Sequence, residues 1–208
     1  MNIAAVLNQP VEKYLPLFSV ARQEKILRYK FNADRNRTVW AELLARYVVS
    51  KKLSLPMEKI VIDRDENGKS YIIGNLLEIS LSHSGNWVAC SFGEFPNGVD
   101  IENDSRDALE IAKNFFTADE YKNLCALNGE ERNLQFLKYW TIKESRFKCI
   151  GDIKFNENLL EKNFLLEDGT LAGVSVLKNK TNNVELRLKY SAGISDILSD
   201  NYFFRQKV

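Results

Sequence analysis

Apolar and polar positions along the 208-residue chain predict an α+β fold in which helices are followed by strands, twice in succession. The first series comprises a short strand at 1–7, a helix at 20–30, a helix from an N-cap at Asp34 to about 52, and strands at 59–63, 70–73, 78–82, 87–92 and 98–102. The second comprises helices at about 107–115, 118–127 and 130–148, then strands at about 163–167, 172–177, 184–191 and 202–206. No sequence repeat joins the halves, but this order of elements allows a duplicated α+β unit.

Two short stretches carry the most distinctive chemistry of the chain. Asp100 and Glu102 alternate on a predicted strand and so project from one face, where their charges repel unless a cation lies between them. Glu144 and Lys148 lie one turn apart on a predicted helix. If this helix packs on the strand, three carboxylates and an ammonium meet, a set suited to Mg²⁺ holding a phosphate or pyrophosphate. Taken singly, each motif is as readily explained by a solvated strand edge or a surface ion pair.

Both stretches resemble signatures of the 4′-phosphopantetheinyl transferases, specifically the larger, surfactin-synthetase-associated type. The matches are NGVDIE at 97–102 and WTIKESRFK at 140–148, and three more follow in the family's order: NGK at 67–69, ISLSHSG at 79–85 and FFTADEY at 115–121. The similarity runs from about residue 19 to residue 151. Ser70 stands where the family usually has proline, and the stretch after Lys148 departs from the glycine- and leucine-rich continuation usual in the family.

The resemblance implies a fold and a reaction. The fold is two similar α+β lobes, 1–100 for binding coenzyme A and 101–208 for the metal and the catalytic helix, with the active site in the cleft between them. The reaction moves 4′-phosphopantetheine from coenzyme A to a serine hydroxyl of an apo acyl or peptidyl carrier protein and releases adenosine 3′,5′-bisphosphate. Because one chain would supply both sides of the cleft, a monomer is expected, whereas the smaller holo-carrier-synthase type assembles its site between subunits.

The resemblance also implies roles for the acidic and basic residues. Mg²⁺, or Mn²⁺ in its place, would be held by three carboxylates: Asp100, Glu102 and Glu144. Lys148, itself a contact to the coenzyme, would act with His83 to stabilise charge on the phosphoryl oxygens. The serine proton would pass to a carboxylate or a metal-bound water, with Glu144 the first candidate and Glu120 the second.

The densest basic stretch of the chain lies between residues 22 and 37. A solvated helix face accounts for most of its side chains, but in a chain with a formal net charge of +1 the local excess is also a candidate anion site. The resemblance places the 3′-phosphate and adenine of coenzyme A near this stretch. It assigns the contacts to three residues of this stretch, to the threonine that follows it and to the lysine of the NGK loop: Arg22, Lys25, Arg37, Thr38 and Lys69.

Two further candidates each have an ordinary structural explanation. His83 is the only histidine, and a lone histidine at a strand end is usually structural or solvated. Its turn is rich in hydrogen-bond donors, and the resemblance makes Ser82 and His83 contacts to the coenzyme phosphates. Glu120 lies three residues after Thr117 in a capping-box pattern that by itself explains a glutamate there. The resemblance instead suggests a base or a neighbour of the metal.

Composition and charge add little specificity, although the cysteines favour a cytosolic protein. A near-neutral chain gives no support to general binding of nucleic acid or of membrane surfaces, and no apolar run approaches the ~20 residues of a membrane span. The first residues lack the basic and apolar regions of a signal peptide. Three widely spaced cysteines, Cys90, Cys125 and Cys149, predict reduced thiols in the core.

Two alternatives to catalytic transfer remain open at this point. One is a non-catalytic family member that binds coenzyme A or carrier proteins, although the acidic and basic residues it would be expected to lose are all present. The other is an unrelated Mg²⁺-dependent phosphohydrolase, which leaves the basic stretch unexplained. Fatty-acid, polyketide and non-ribosomal peptide carriers, and free or acylated coenzyme A, are equally compatible with the sequence.

Overall fold

The structure of the protein is a computed structural model that describes residues 1–74, 76–104, 108–154 and 156–177. The α-helices are α1 (Val20–Leu27), α2 (Asn32–Leu53), α3 (Ala108–Phe115), α4 (Ala118–Ala126) and α5 (Gly129–Ile150). The strands are β1 (Ile62–Arg64), β2 (Ser70–Ile72), β3 (Glu78–Ser84), β4 (Trp87–Gly93), β5 (Asn97–Glu102), β6 (Leu159–Leu165) and β7 (Leu171–Leu177). Short 3₁₀ helices at Glu12–Leu17 and Met57–Lys59 complete the described elements.

Each half of the described chain lays one 22-residue helix across antiparallel strands. The first half packs α2 against β3 and β4, and the second packs α5 against β5 and β7. α2 buries Trp40 and Leu43 among the apolar side chains of the N-terminal segment. Further along the helix, Ala45 and Val49 pack against apolar side chains of β1, β2 and β3. The α+β class predicted from the sequence is confirmed.

The two halves meet where β3 runs beside β5. β3 pairs with β4, and β5 pairs with the central strand of the order β5–β7–β6. Side chains link β3 to β5: Ser80 Oγ accepts the amide of Val99, Ser82 Oγ accepts the amide of Ile101 and Asn97 Nδ2 donates to the Glu78 carbonyl, each at 3.2 Å. Both strands therefore run in the same direction, and polar side chains line the joint between the halves.

Two glycines let α5 lie directly on the second sheet. A Cβ on Gly98 of β5 would come within 2.0 Å of the Ser145 carbonyl oxygen, and one on Gly173 of β7 within 2.5 Å of the Thr141 carbonyl. Because alternate residues of a strand share a face, Asp100 and Glu102 point toward α5 as Gly98 does. This close approach brings the carboxylates of β5 up to the side chains of the helix.

Several predicted elements differ from those observed. The strand at 1–7 is reduced to one bridge between Asn2 and Trp87, followed by turns from residue 4. Asp34 is not the N-cap of α2, since the helix begins at Asn32 and Asp34 lies in its first turn. The strands predicted at 184–191 and 202–206 lie outside the described residues.

Two predictions about composition also have outcomes in the structure. Cys90, Cys125 and Cys149 are free thiols, but Cys125 is exposed on α4 rather than in the core. None of the helices in the described ranges combines the length and the hydropathy needed to cross a bilayer.

Candidate active site

A cavity of about 430 Å³ lies along the joint between the halves, a size typical of small-molecule sites. Its walls come from α1, α2, β1, β3, β5 and α5 and the loop before β2. Most of the residues predicted as site residues line it: Arg22, Lys25, Thr38, Ser82, His83, Asp100, Glu102, Glu144 and Lys148. The first half supplies the anion-binding candidates and α5 supplies the glutamate and lysine of the second predicted motif.

One end of the cavity is built on the carboxylates of β5 and α5. Asp100 is only 4 % exposed and accepts hydrogen bonds from Lys148 Nζ at 2.6 Å and from Ser82 Oγ at 3.0 Å, both at Oδ1. Lys148 Nζ also donates to Ser82 Oγ at 3.2 Å. The hydroxyl of Ser82 thus links the joint between the halves to both charged groups.

The remaining carboxylates of this end are hard to ionise together. Burial and the neighbouring Asp100 charge raise the pKa of Glu102 to about 7, although Ser84 Oγ donates to its carboxylate at 3.1 Å. Burial and Asp100 also raise the pKa of Glu144, against the opposing effect of Lys148. Like charges gathered in a half-buried site favour a bound cation.

The donor set fits Mg²⁺. Three carboxylates supply hard oxygen ligands, and Asp100 Oδ2 is buried without a hydrogen-bond partner among the described residues. No group of three or more acidic, His or Cys side chains within the described ranges is already gathered closely enough to hold a metal ion. In the observed arrangement the Lys148 ammonium, rather than a second carboxylate, lies next to Asp100.

A second group of lining residues, called the cationic end below, is basic. Arg22 and Lys25 reach it from α1, and Arg64 reaches it from β1 while donating to the Gly68 carbonyl at 3.0 Å. Burial and the nearby Arg22 charge lower the pKa of Arg64, so the two guanidinium groups are close enough to repel each other. A phosphate between them would remove that repulsion.

Three buried polar atoms on the cavity residues lack a hydrogen-bond partner within the described part of the chain. They are Arg22 NH2, Thr38 Oγ1 and Asp100 Oδ2. Buried polar groups are nearly always hydrogen-bonded, so unpaired ones that share one cavity point to a polar ligand.

His83 lies exposed at the cavity wall beyond Ser82. Partial desolvation there lowers its pKa, and the positive charges of Arg37 and Lys148 act in the same direction. The imidazole is therefore mostly neutral at pH 7 and offers one N–H donor to an anion.

Three of the predicted site residues, Arg37, Lys69 and Glu120, do not line the cavity. Arg37 donates to Asp34 Oδ1 at 2.7 Å and to the Gly85 carbonyl at 2.9 Å, and Lys69 pairs with Glu78 at 3.4 Å. Both lie on elements next to the cavity, so their roles stay predictions.

Glu120 is held on α4 by two contacts. It pairs with Lys143 Nζ at 2.8 Å and accepts the Thr117 amide at 2.8 Å in the capping box that the sequence predicts. Burial acts to raise its pKa, but the hydrogen bonds from Lys143 and Thr117 outweigh burial and lower it. These contacts favour the capping role, while the proposed role as a base stays untested.

Three polar or flexible positions of the cavity wall were not identified from the sequence: Tyr29, Arg64 and Gly68. Arg64 could have been found, because it lies four residues before the glycine of the NGK motif that the sequence does reveal. Tyr29 follows the basic helix and carries no comparable signal.

Comparisons with known proteins identify the family. The sequence profile of the 4′-phosphopantetheinyl transferase superfamily matches residues 96–189, and that of the 4′-phosphopantetheinyl transferase N-terminal region matches residues 9–92. The chain is 33% identical over 162 residues to 4′-phosphopantetheinyl transferase psf-1 of Bacillus pumilus, covering 73% of this chain and 69% of that protein. It is 36% identical over 142 residues to 4′-phosphopantetheinyl transferase Sfp of Bacillus subtilis (strain 168), covering 67% of this chain and 63% of that protein, which is less than two thirds of its length.

A more distant relative is the L-aminoadipate-semialdehyde dehydrogenase-phosphopantetheinyl transferase of Rattus norvegicus, 28% identical over 162 residues, covering 70% of this chain and 52% of that protein. Two profiles and two bacterial relatives thus agree with the five sequence motifs and with the polarity of the cavity. The predicted family and class of enzyme are confirmed, and the chain belongs to the 4′-phosphopantetheinyl transferase superfamily.

Proposed function

We propose that this protein transfers 4′-phosphopantetheine from coenzyme A to a serine hydroxyl of an apo carrier protein. The observation that carries the proposal is the polarity of the cavity, with carboxylates and Lys148 at one end and Arg22, Lys25 and Arg64 at the other. Coenzyme A has phosphate groups in two places, a pyrophosphate next to the pantetheine arm and a separate 3′-phosphate. A cavity whose wall carries one group of carboxylates and a distinct group of basic residues matches that distribution.

The pyrophosphate belongs at the carboxylate end. Lys148, which lies 2.6 Å from Asp100, can turn its ammonium to the phosphoryl oxygens once another cation balances the aspartate. His83 offers a neutral donor to the same group of oxygens. Together they stabilise negative charge on the departing bisphosphate.

A divalent metal completes this end. Asp100, Glu102 and Glu144 would hold Mg²⁺, or Mn²⁺ in its place, which would supply neutralisation of the pyrophosphate charge.

The serine oxygen of the carrier forms a bond to the phosphorus that bears the pantetheine arm, and the bond from that phosphorus to the bridging oxygen breaks. Adenosine 3′,5′-bisphosphate leaves with the bridging oxygen. The serine proton passes to the carboxylate of Glu144, which faces the cavity from α5, or to a bound water. Among the predicted bases, Glu144 is favoured over Glu120, because Glu120 is engaged by Lys143 and lies outside the cavity lining.

We further propose that the protein acts as a cytoplasmic monomer. One chain carries both ends of the cavity: the basic residues come from α1 and β1, and Glu144 and Lys148 come from α5. Size exclusion with light scattering at assay concentration should give one chain per particle. A stable trimer that loses activity on dilution would contradict this part of the proposal.

The reaction is tested by incubating the protein with coenzyme A, Mg²⁺ and an apo carrier protein, and measuring the intact mass of the carrier. The expected result is a gain of one phosphopantetheine group, with no gain for a carrier whose acceptor serine is alanine. EDTA should abolish the gain and added Mg²⁺ should restore it. Binding of coenzyme A without any mass gain would instead support a non-catalytic family member.

A further inference from the structure

A buried row of three charges underlies the cationic end of the cavity. Glu42 of α2 is 2 % exposed and lies between two arginines. Its Oε2 accepts Arg22 Nε at 3.0 Å, and its Oε1 accepts Arg46 NH2 at 3.0 Å. Arg46 is fixed in turn by donating to the Leu17 carbonyl at 2.8 Å and by stacking 5.1 Å from the Phe18 ring. Glu42 is thus held rigidly from one side and holds Arg22 from the other.

The charges in this row do not balance. One carboxylate faces two guanidinium groups, and the nearby Arg64 adds a third positive charge whose interaction with Glu42 is favourable and with Arg22 unfavourable. Burying a charge without a counter-charge is strongly unfavourable. Arg22 NH2 is also buried with no partner in the described part of the chain. With Arg64 included, the group carries three positive charges and one negative charge, so it lacks negative charge, and the unpaired nitrogen belongs to Arg22, which lines the cavity.

We propose that Glu42 is a positioning residue for recognition of the 3′-phosphate of coenzyme A. By holding Arg22 through Nε, Glu42 leaves the terminal nitrogens of that guanidinium free to grip a phosphate opposite Arg64. This inference rests on the proposed function, because it takes coenzyme A as the ligand. The carboxylate end of the cavity suits the pyrophosphate, so the cationic end is left for the phosphate monoester. Holding a guanidinium in its bound position before the ligand arrives reduces the ordering needed on binding.

The first test compares Glu42→Gln with wild type on coenzyme A and on 3′-dephospho-coenzyme A. Glutamine keeps the shape of the side chain but removes the charge that anchors Arg22. We expect KM for coenzyme A to rise roughly tenfold, the effect of losing one charge-assisted contact, while KM for the dephospho substrate changes less than about twofold. The value of kcat should stay within about twofold, since Glu42 does not reach the reacting phosphorus. Glu24→Gln, an exposed glutamate of the same basic helix, is the matched control and should change neither KM.

A double variant separates positioning from general stability. If Glu42 acts through Arg22, then adding Glu42→Gln to Arg22→Ala should change the KM ratio of the two substrates by less than about twofold. Equal KM increases for both substrates in Glu42→Gln, or additive effects in the double variant, would overturn the proposal.

A second variant and a binding assay cover two other outcomes. If Glu42→Gln does not fold, Glu42→Asp keeps the charge but is one methylene too short to reach both arginines, and it should show the same selective rise in KM. Calorimetry with adenosine 3′,5′-bisphosphate and adenosine 5′-monophosphate does not depend on transfer. Suppose that wild type transfers no phosphopantetheine but binds the bisphosphate more tightly than the monophosphate, and that Glu42→Gln removes this preference. That result would refute the proposed function but not the role of Glu42. Equal binding of both nucleotides by wild type would refute the role of Glu42.

Discussion

Replacing Gly98 with alanine should move α5 away from β5 and separate the two halves of the carboxylate end. A Cβ at this position would lie 2.0 Å from the Ser145 carbonyl oxygen and 2.8 Å from the Cys149 amide nitrogen. Ordinary contact requires ~3.5 Å, so the helix would have to retreat by about 1.5 Å at its closest point. The atoms met are helix backbone, which cannot turn aside as a side chain can.

The expected loss has a structural and a catalytic part. Overpacking of this kind costs about 1–3 kcal/mol, which for a protein of this size lowers Tm by roughly 2–12 °C. A retreat of even ~1 Å would also carry Glu144 and Lys148 of α5 away from the carboxylates of β5, so that the residues proposed to hold the metal and the phosphoryl oxygens would no longer be in register. Transfer should therefore fall at temperatures where the variant is still folded.

Thermal unfolding and carrier mass gain at 20 °C, well below Tm, are the assays. Gly93→Ala is the matched control, because its added Cβ meets no atom within 4 Å, and it should match wild type in both. Gly173→Ala tests the same contact one helical turn away, since its Cβ would lie 2.5 Å from the Thr141 carbonyl. If Gly98→Ala kept wild-type Tm and wild-type transfer, the argument that α5 is positioned by bare backbone would be wrong.

The remaining predictions concern the carboxylates. Asp100→Ala should abolish carrier mass gain with the circular dichroism spectrum unchanged, because relief of the repulsion with Glu102 and Glu144 offsets the lost pairing with Lys148, whose partly exposed side chain can turn to solvent. Normal transfer at limiting Mg²⁺ would rule out the metal site. In the absence of metal (EDTA), the pKa of Glu102 is about 7 in the folded protein and about 4.5 in the unfolded chain. Because the folded state binds this proton more tightly, protonation of Glu102 contributes stability that is fully present below pH 4.5 and is lost as pH rises through 7. Glu102→Gln should therefore unfold at higher temperature than wild type at pH 8 but not at pH 4. The gain in free energy of unfolding at pH 8 should be on the order of 1 kcal/mol after allowance for solvent screening. Glu120→Gln should leave the acidic limb of the pH–rate profile unmoved while lowering Tm, because Lys143 holds that carboxylate; loss of the limb would instead identify Glu120 as the base.

The carboxylate end could be predicted from the sequence because its geometry is local. Strand alternation places Asp100 and Glu102 on one face, and helical spacing places Glu144 and Lys148 one turn apart. One tertiary fact, the packing of α5 on β5, then joins them, and Gly98 two residues before Asp100 makes that packing possible. Short-range periodicity thus carried most of the information.

The cationic end was only partly predictable because it depends on tertiary contacts. Arg64 lies on a short strand, and the only sign of a ligand near it in the sequence is the NGK motif that follows; its place in the cavity, near the charge of Arg22, is a tertiary contact. Glu42 is seen in sequence as one more charged residue on a long helix. Its burial between Arg22 and Arg46 follows from the way α1 packs on α2, which periodicity alone does not reveal.

Errors at the edges of elements have similar causes. The first residues have the apolar pattern of a strand, but the chain turns after a single bridge to Trp87 and packs Ile3 and Val6 into the core from an irregular segment. Asp34 is a good N-cap residue, yet the helix starts two residues earlier and Asp34 pairs with Arg37 one turn on. In both cases a tertiary or side-chain contact overrides a local preference.

The joint between the halves explains why the site lies where it does. A backbone ladder between β3 and β5 would use the strand amides and leave no side chain between the sheets. Here Ser82 replaces part of that ladder, because its hydroxyl accepts the Ile101 amide, donates to Asp100 and accepts from Lys148. One oxygen therefore links the first half of the chain to Asp100, the first predicted metal ligand, and to Lys148 of α5. Under the proposed function, the two groups of charges that coenzyme A would bridge belong to different halves of the chain, and the Ser82 contacts are among those that hold the halves together.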